Sequence, residues 1–156
     1  MRGRSVALAA FAVSGLVVAS CAEDRNDLYA RESPRGKAPL GGTAVNGIEK
    51  QWVVGIDLDV VKAGPVTFTF KNIGTIPHEM LVVRTDLPVG GLPVDPTTRR
   101  FNEESPAWEV LDEISEYSPD EIDELTLDLE PGNYQLVCNI EGHYKAGMAT
   151  AFQVKA

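Results

Sequence analysis

The sequence predicts an all-β protein, a Greek-key β-sandwich with room for one short helix. Three observations predict it. Apolar residues recur at every second position in several short stretches. Gly, Pro and Asn separate those stretches, and the stretches follow one another at the spacing expected of a sandwich. With 156 residues, one domain of ordinary size is expected.

Residues 1–20, "MRGRSVALAAFAVSGLVVAS", stand apart from the fold. Arg2 and Arg4 precede an apolar run too short to span a membrane comfortably, which is the pattern of a secretory signal. The run ends "VVASC", which resembles a bacterial lipobox and makes Cys21 the expected lipidated first residue of an extracytoplasmic protein in the periplasm or at the cell surface. Residues 21–43 are polar, with Pro34, Pro39 and the Gly41-Gly42 pair, and read as a lipid-anchored flexible tether. The globular domain is expected over residues 44–156.

Within it the period is two. "QWVVGIDL" sets Trp52, Val54, Ile56 and Leu58 on one face; "PVTFTFKN" sets Val66, Phe68 and Phe70 on one face. "HEMLVVRT" is apolar on both faces, which suits the middle of a sheet. Leu125, Leu127 and Leu129 alternate before a Pro131-Gly132 turn, followed by Tyr134, Leu136 and Cys138. Met148, Thr150, Phe152 and Val154 share the last face. The section from Asp86 to Glu124 is less regular. "SPAWEVLDEI" reads either as a helix opening at Ser105 or as a loop running into a strand at Val110.

The formal charge is −9, and loss of Arg2 and Arg4 with the signal makes it −11. Such acidity argues against nucleic-acid binding and against polybasic docking to anionic lipid. Residues 103–130 hold twelve acids and no Lys or Arg. That run reads first as a solvated face, and alternatively as a field that steers a basic partner. If Cys21 is acylated, Cys138 is left as a lone thiol in an oxidising compartment, where a free thiol is a liability unless something occupies it.

The stretch "VCNIEGHYKAGM" supplies an occupant. It places Cys138, His143 and Met148 at Cys-x4-His-x4-Met, and the chain's other histidine, His78, opens the strand "HEMLVV". Singly, each residue has an ordinary explanation as core filler or a satisfied histidine. Jointly, a thiol, two imidazoles and a thioether are the donors of a blue-copper site, soft enough for Cu(I) and acceptable to Cu(II). A structural zinc site generally has four stronger ligands.

The segments "VKAGPVTFTFKNIGTIPHEM" and "GNYQLVCNIEGHYKAGMATAFQV" resemble the blue-copper, or cupredoxin, family of plastocyanin- and azurin-like proteins over residues 44–156. The loop spacing is similar to the auracyanin, rusticyanin and sulfocyanin branches. The resemblance implies a type 1 copper held by His78, Cys138, His143 and axial Met148. It implies one-electron transfer between extracytoplasmic partners such as a cytochrome or oxidase. His143 would be the electron port, with Ile140 and Tyr144 as candidate patch residues. One departure is Glu79, where plastocyanins and azurins carry an Asn that braces the ligand loop.

Enzymatic copper chemistry is not expected. No histidine is left over for a further copper centre, and no orienting group or oxyanion turn accompanies Cys138 and His143 as a hydrolytic dyad. The alternative function is an extracytoplasmic copper-binding carrier lipoprotein that uses the same ligands without redox turnover.

Overall fold

A computed structural model describes residues 31–156; Cys21 and the leader lie outside them. Nine strands form two sheets: β1 (Thr43–Lys50), β2 (Val53–Ile56), β3 (Val60–Lys62), β4 (Gly64–Asn72), β5 (His78–Arg84), β6 (Glu109–Tyr117), β7 (Ile122–Leu129), β8 (Gly132–Val137) and β9 (Ala149–Lys155). One sheet runs β2-β1-β4-β7 and the other β3-β9-β8-β5-β6. Both are mixed, because β1 pairs parallel with β4 and β3 parallel with β9.

The alternation seen in the sequence becomes the interior of the sandwich. Val66, Phe68 and Phe70 from β4 meet Met80 and Val82 from β5, Tyr134 and Leu136 from β8, and Phe152 and Val154 from β9, all buried. Strand β5 is apolar on both faces for a reason now visible. Leu81 and Val83 point away from the sandwich interior, into a second core with Leu92, Phe101, Val137 and Tyr144. Leu92 and Phe101 belong to the irregular connection between β5 and β6, which therefore lies across the outside of the sheet.

The structure departs from the sequence reading at the first strand and decides two points that reading left open. Strand β1 precedes the stretch expected as the first strand, and Trp52 lies not in a strand but in the turn joining β1 to β2. The segment after Ser105 takes the loop-then-strand alternative, as β6. The only helical element of the domain is a 3-10 turn over Tyr144–Ala146. Gly47 in β1 leaves room for Phe70, since a Cβ there would stand 2.3 Å from the ring.

Residues 31–42, expected as tether, touch the first sheet. The Gly36 amide donates to Asn46 Oδ1 at 2.7 Å, Lys71 Nζ donates to Glu32 at 2.9 Å, and a Cβ on Gly36 would collide with Thr69.

Candidate metal centre

Three strand ends converge at one end of the sandwich. β5 begins at His78, Cys138 is the first residue beyond β8, and Met148 directly precedes β9. The antiparallel pairs Leu81↔Val137 and Val137↔Ala149 bring those ends together. The Cys138–Met148 loop is closed by its own backbone. Cys138 N–H donates to the Met148 carbonyl at 3.1 Å, Met148 N–H to the His143 carbonyl at 3.1 Å, and His143 N–H to the Ile140 carbonyl at 2.8 Å. Gly147 ends the 3-10 turn at φ 106°, a left-handed conformation that suits glycine.

The resulting donor set is compact and dry. Cys138 Sγ lies 3.2 Å from His143 Nδ1 and 3.9 Å from His78 Nδ1, and one ligand atom from each residue falls within 4.8 Å of the others. Ligands about 2.0–2.3 Å from a shared ion in a trigonal plane stand roughly 3.7 Å apart. The observed separations bracket that spacing. His78 and Cys138 are fully buried and His143 is 6% exposed. Met148 is buried in the same core cluster as Cys138, and so is Met80, one alternation along β5 from His78. The His78–Cys138–His143 cluster thus fits one type 1 copper.

The electrostatics hold these donors uncharged until a cation arrives. Burial pushes the Cys138 thiol up to about 12, and Glu49 adds to the rise, while the backbone amides of Glu79 and Ile140 oppose it. Burial, then the neighbouring His143, pulls His78 down to about 4. Burial and then Arg100 lower His143, with Glu116 opposing. Both imidazoles therefore keep a free lone pair at neutral pH, and a bound metal would take the place of the thiol proton. His78 Nε2 is buried without a hydrogen-bond partner, and a Cβ on Gly74 would stand 2.9 Å from it, so the histidine loop comes close to the ring only because that residue is glycine.

The ligand loop is braced by Asn139, which the sequence did not single out for that task. Asn139 Oδ1 accepts the Phe101 N–H at 2.9 Å; its Nδ2 donates to the Phe101 carbonyl at 3.0 Å and to Glu103 at 2.7 Å. This ties the residue after Cys138 to the β5–β6 connection. Glu79 is 9% exposed, and its carboxyl is pushed up to about 7, by burial first and then by Glu113. The backbone amide of Asn139 opposes that rise, and Glu79 Oε1 has no hydrogen-bond partner. Tyr144, a candidate surface residue, is instead buried against Phe101, where its hydroxyl accepts the Leu92 N–H at 3.1 Å. Ile140 is half-buried. The exposed aromatic beside the site is Trp52, whose ring meets His143 edge-on with centroids 5.4 Å apart.

No family model matches this sequence, and no curated protein does. Solved structures do match in fold. A dithionite-reduced auracyanin from the photosynthetic bacterium Roseiflexus castenholzii superposes with TM-score 0.53 at 19% identity, covering 73% of this chain and 96% of that one. Auracyanin B gives TM-score 0.56 at 18% identity, over 80% and 96% of the two chains. Rusticyanin from Thiobacillus ferrooxidans gives 0.52 at 17%, over 72% and 77%. The architecture is the sandwich these proteins share.

Proposed function

We propose that this chain, with its auracyanin- and rusticyanin-like sandwich, is a mononuclear type 1 copper protein that carries single electrons between extracytoplasmic partners. The observation that carries the reading is the buried convergence of Cys138 Sγ with the Nδ1 atoms of His78 and His143 beside buried Met148. Rusticyanin is itself a copper protein. Copper held by such a set supplies one electron and takes one back with little rearrangement. The chain's own part is to keep His78 and His143 neutral, to hold the Cys138 loop fixed through Asn139, and to exclude water.

That exclusion favours electron transfer over the carrier alternative. The three donors are 0%, 0% and 6% exposed, so handing over a metal ion would require the loop to open, whereas an electron needs only a ring edge near the surface. The same enclosure speaks against catalysis, since a substrate has no open approach to the donors.

The partner we propose is a cytochrome or oxidase with a basic patch. Glu103 and Glu113 lie near enough to act on Glu79, and Glu116 on His143, so part of the acidic run lies at the site end. The lipobox-like "VVASC" supports attachment to a membrane through Cys21, outside the cytoplasm.

The test is to load the purified domain with copper(II). Intense visible absorption and a reversible one-electron voltammetric wave are expected. A colourless protein, or a coloured one without a reversible wave, would overturn the reading.

A further inference from the structure

We propose that Trp52 is the outer contact of His143, the residue through which the redox partner exchanges its electron with the site. The inference rests on the electron-carrier reading. Four observations carry it.

The two-residue turn Gln51–Trp52 joins Lys50 of β1 to Val53 of β2 at the site end of the molecule. Its indole is 49% exposed, whereas His143 is only 6% exposed. The indole meets the imidazole edge-on at 5.4 Å between centroids and an interplanar angle of 84°. A partner approaching His143 from this side therefore meets the indole first.

The backbone makes the placement costly. Trp52 sits at φ 75°, in the left-handed region where a bulky residue is disfavoured and glycine is not. A tryptophan at a glycine position of a solvent-facing turn needs a reason, and strained backbone of this kind gathers at functional sites. Burial does not supply the reason, since half the side chain is in water.

The turn is also tied to one ligand segment and lies close to the other. Gln51 Nε2 donates to Thr75 Oγ1 at 2.5 Å, and the Thr75 amide donates to Gln51 Oε1 at 3.3 Å, which fixes the turn to the loop before His78. On its other side, the Trp52 carbonyl comes within 3.8 Å of where a Cβ on Gly147 would stand. The backbone that carries the indole is thus anchored beside the loop that precedes His78.

The exchange balances simply. With copper held by His78, Cys138 and His143, a reduced one-electron haem protein would lose one electron and the site would take it up through His143, with no bond made or broken and no proton moved. Trp52 acts through His143, so it is a positioning residue of the route.

The experiment uses Trp52→Gly, which relaxes the turn and should fold, and Trp52→Phe, which keeps an aromatic ring. In the copper-loaded protein, electron self-exchange and the rate with a basic c-type cytochrome should fall at least tenfold in Trp52→Gly. Trp52→Phe should stay within about threefold of the parent, and absorption and potential should be unchanged in both. A separate arm reads emission in metal-free protein carrying Trp108→Phe, where Trp52 is the remaining tryptophan. Copper(II) alone should quench it with one-to-one stoichiometry. Unchanged rates in Trp52→Gly would overturn the proposal. So would a shift in absorption or potential, which would mean that the indole shapes the site instead. Absent quenching would show that the indole does not sit at the metal. If the parent protein lacks a reversible wave, the electron-carrier reading fails first; if it has one and Trp52→Gly exchanges as fast, only this inference falls.

Discussion

Tyr117 at the end of β6 donates a 2.6 Å hydrogen bond to Glu49 of β1, joining the two sheets through a carboxyl that is fully buried. Glu49 Oε1 has no partner, and burial pushes its pKa up to about 8 from an ordinary 4.5. Between those values the folded state holds a proton the unfolded chain releases, so stability falls as pH rises through that window.

Glu49→Gln keeps an acceptor for Tyr117 but cannot ionise. Urea unfolding of metal-free protein should show the variant losing less stability than the parent between pH 5 and 8, by an amount on the order of a few kcal/mol. His78, with its pKa lowered to about 4, contributes a rise in stability from pH 4 to 6.5 in both proteins and cancels from the comparison. Equal slopes would show that Glu49 is ionised in the fold.

Cys138→Ser should remove the visible band, because a hydroxyl is a hard, weakly acidic replacement for a thiolate. Thermal unfolding should separate the two forms. At metal a thousandfold above its dissociation constant, the parent gains about 4 kcal/mol that the variant lacks, and the metal-free proteins should differ far less. A retained band would remove Cys138 from the ligand set.

Met148 and Met80 are both buried near Cys138, and voltammetry should tell them apart. Met148→Leu should stay blue with a raised potential, since a donor to Cu(II) is gone, and Met148→Gln should lower it. Met80→Leu should leave the potential in place and cost less than about 1.5 kcal/mol of stability as a volume-conserving swap. The opposite pattern would make Met80 the axial ligand.

Asn139→Ala cuts the ties to Phe101 and Glu103. Leaving the buried Phe101 groups unpaired should cost about 1–3 kcal/mol, and copper affinity should drop by about 10–100-fold. Competition with a chelator measures the second effect. Unchanged affinity would mean that the loop is held by its own backbone bonds alone.

Glu113→Gln with Glu116→Gln should flatten the fall of electron-transfer rate with salt when the partner is a basic cytochrome, with colour and potential intact. Exposed charges are screened over about 10 Å at 0.1 M ionic strength, and steering acts on association. A slope that does not change would place docking elsewhere on the surface.

The candidate site was legible because its residue types are scarce: His78, Cys138 and His143, which the structure brings together, stood out against a chain with two histidines and two cysteines. The sandwich was legible because period-two stretches such as Val66-Phe68-Phe70 survive intact into the core. Strand β1 was not, since Asn46 and Gly47 interrupt its pattern and Gly47 is there for the Phe70 ring of another strand. Nothing in the sequence marked Glu49 as buried, because an acid in a strand normally faces solvent. Asn139 and Trp52 act through contacts with Phe101 and His143, distant in sequence, and no local spacing encodes such pairs. Tyr144 misled by lying in a loop, which reads as surface until the β5–β6 connection is seen to cover it.

His78 and Cys138 are 60 residues apart in sequence and 3.9 Å apart between ligand atoms. A single ion bound by both would be a reversible cross-link, closing a chain loop of the kind a disulfide closes in other small domains. By loop-closure entropy such a staple is worth about 4 kcal/mol against the unfolded chain. Here no second cysteine is needed, and the staple can be removed by chelation rather than reduction. A protein tied in this way would resist a reducing environment and be vulnerable to a metal-scavenging one.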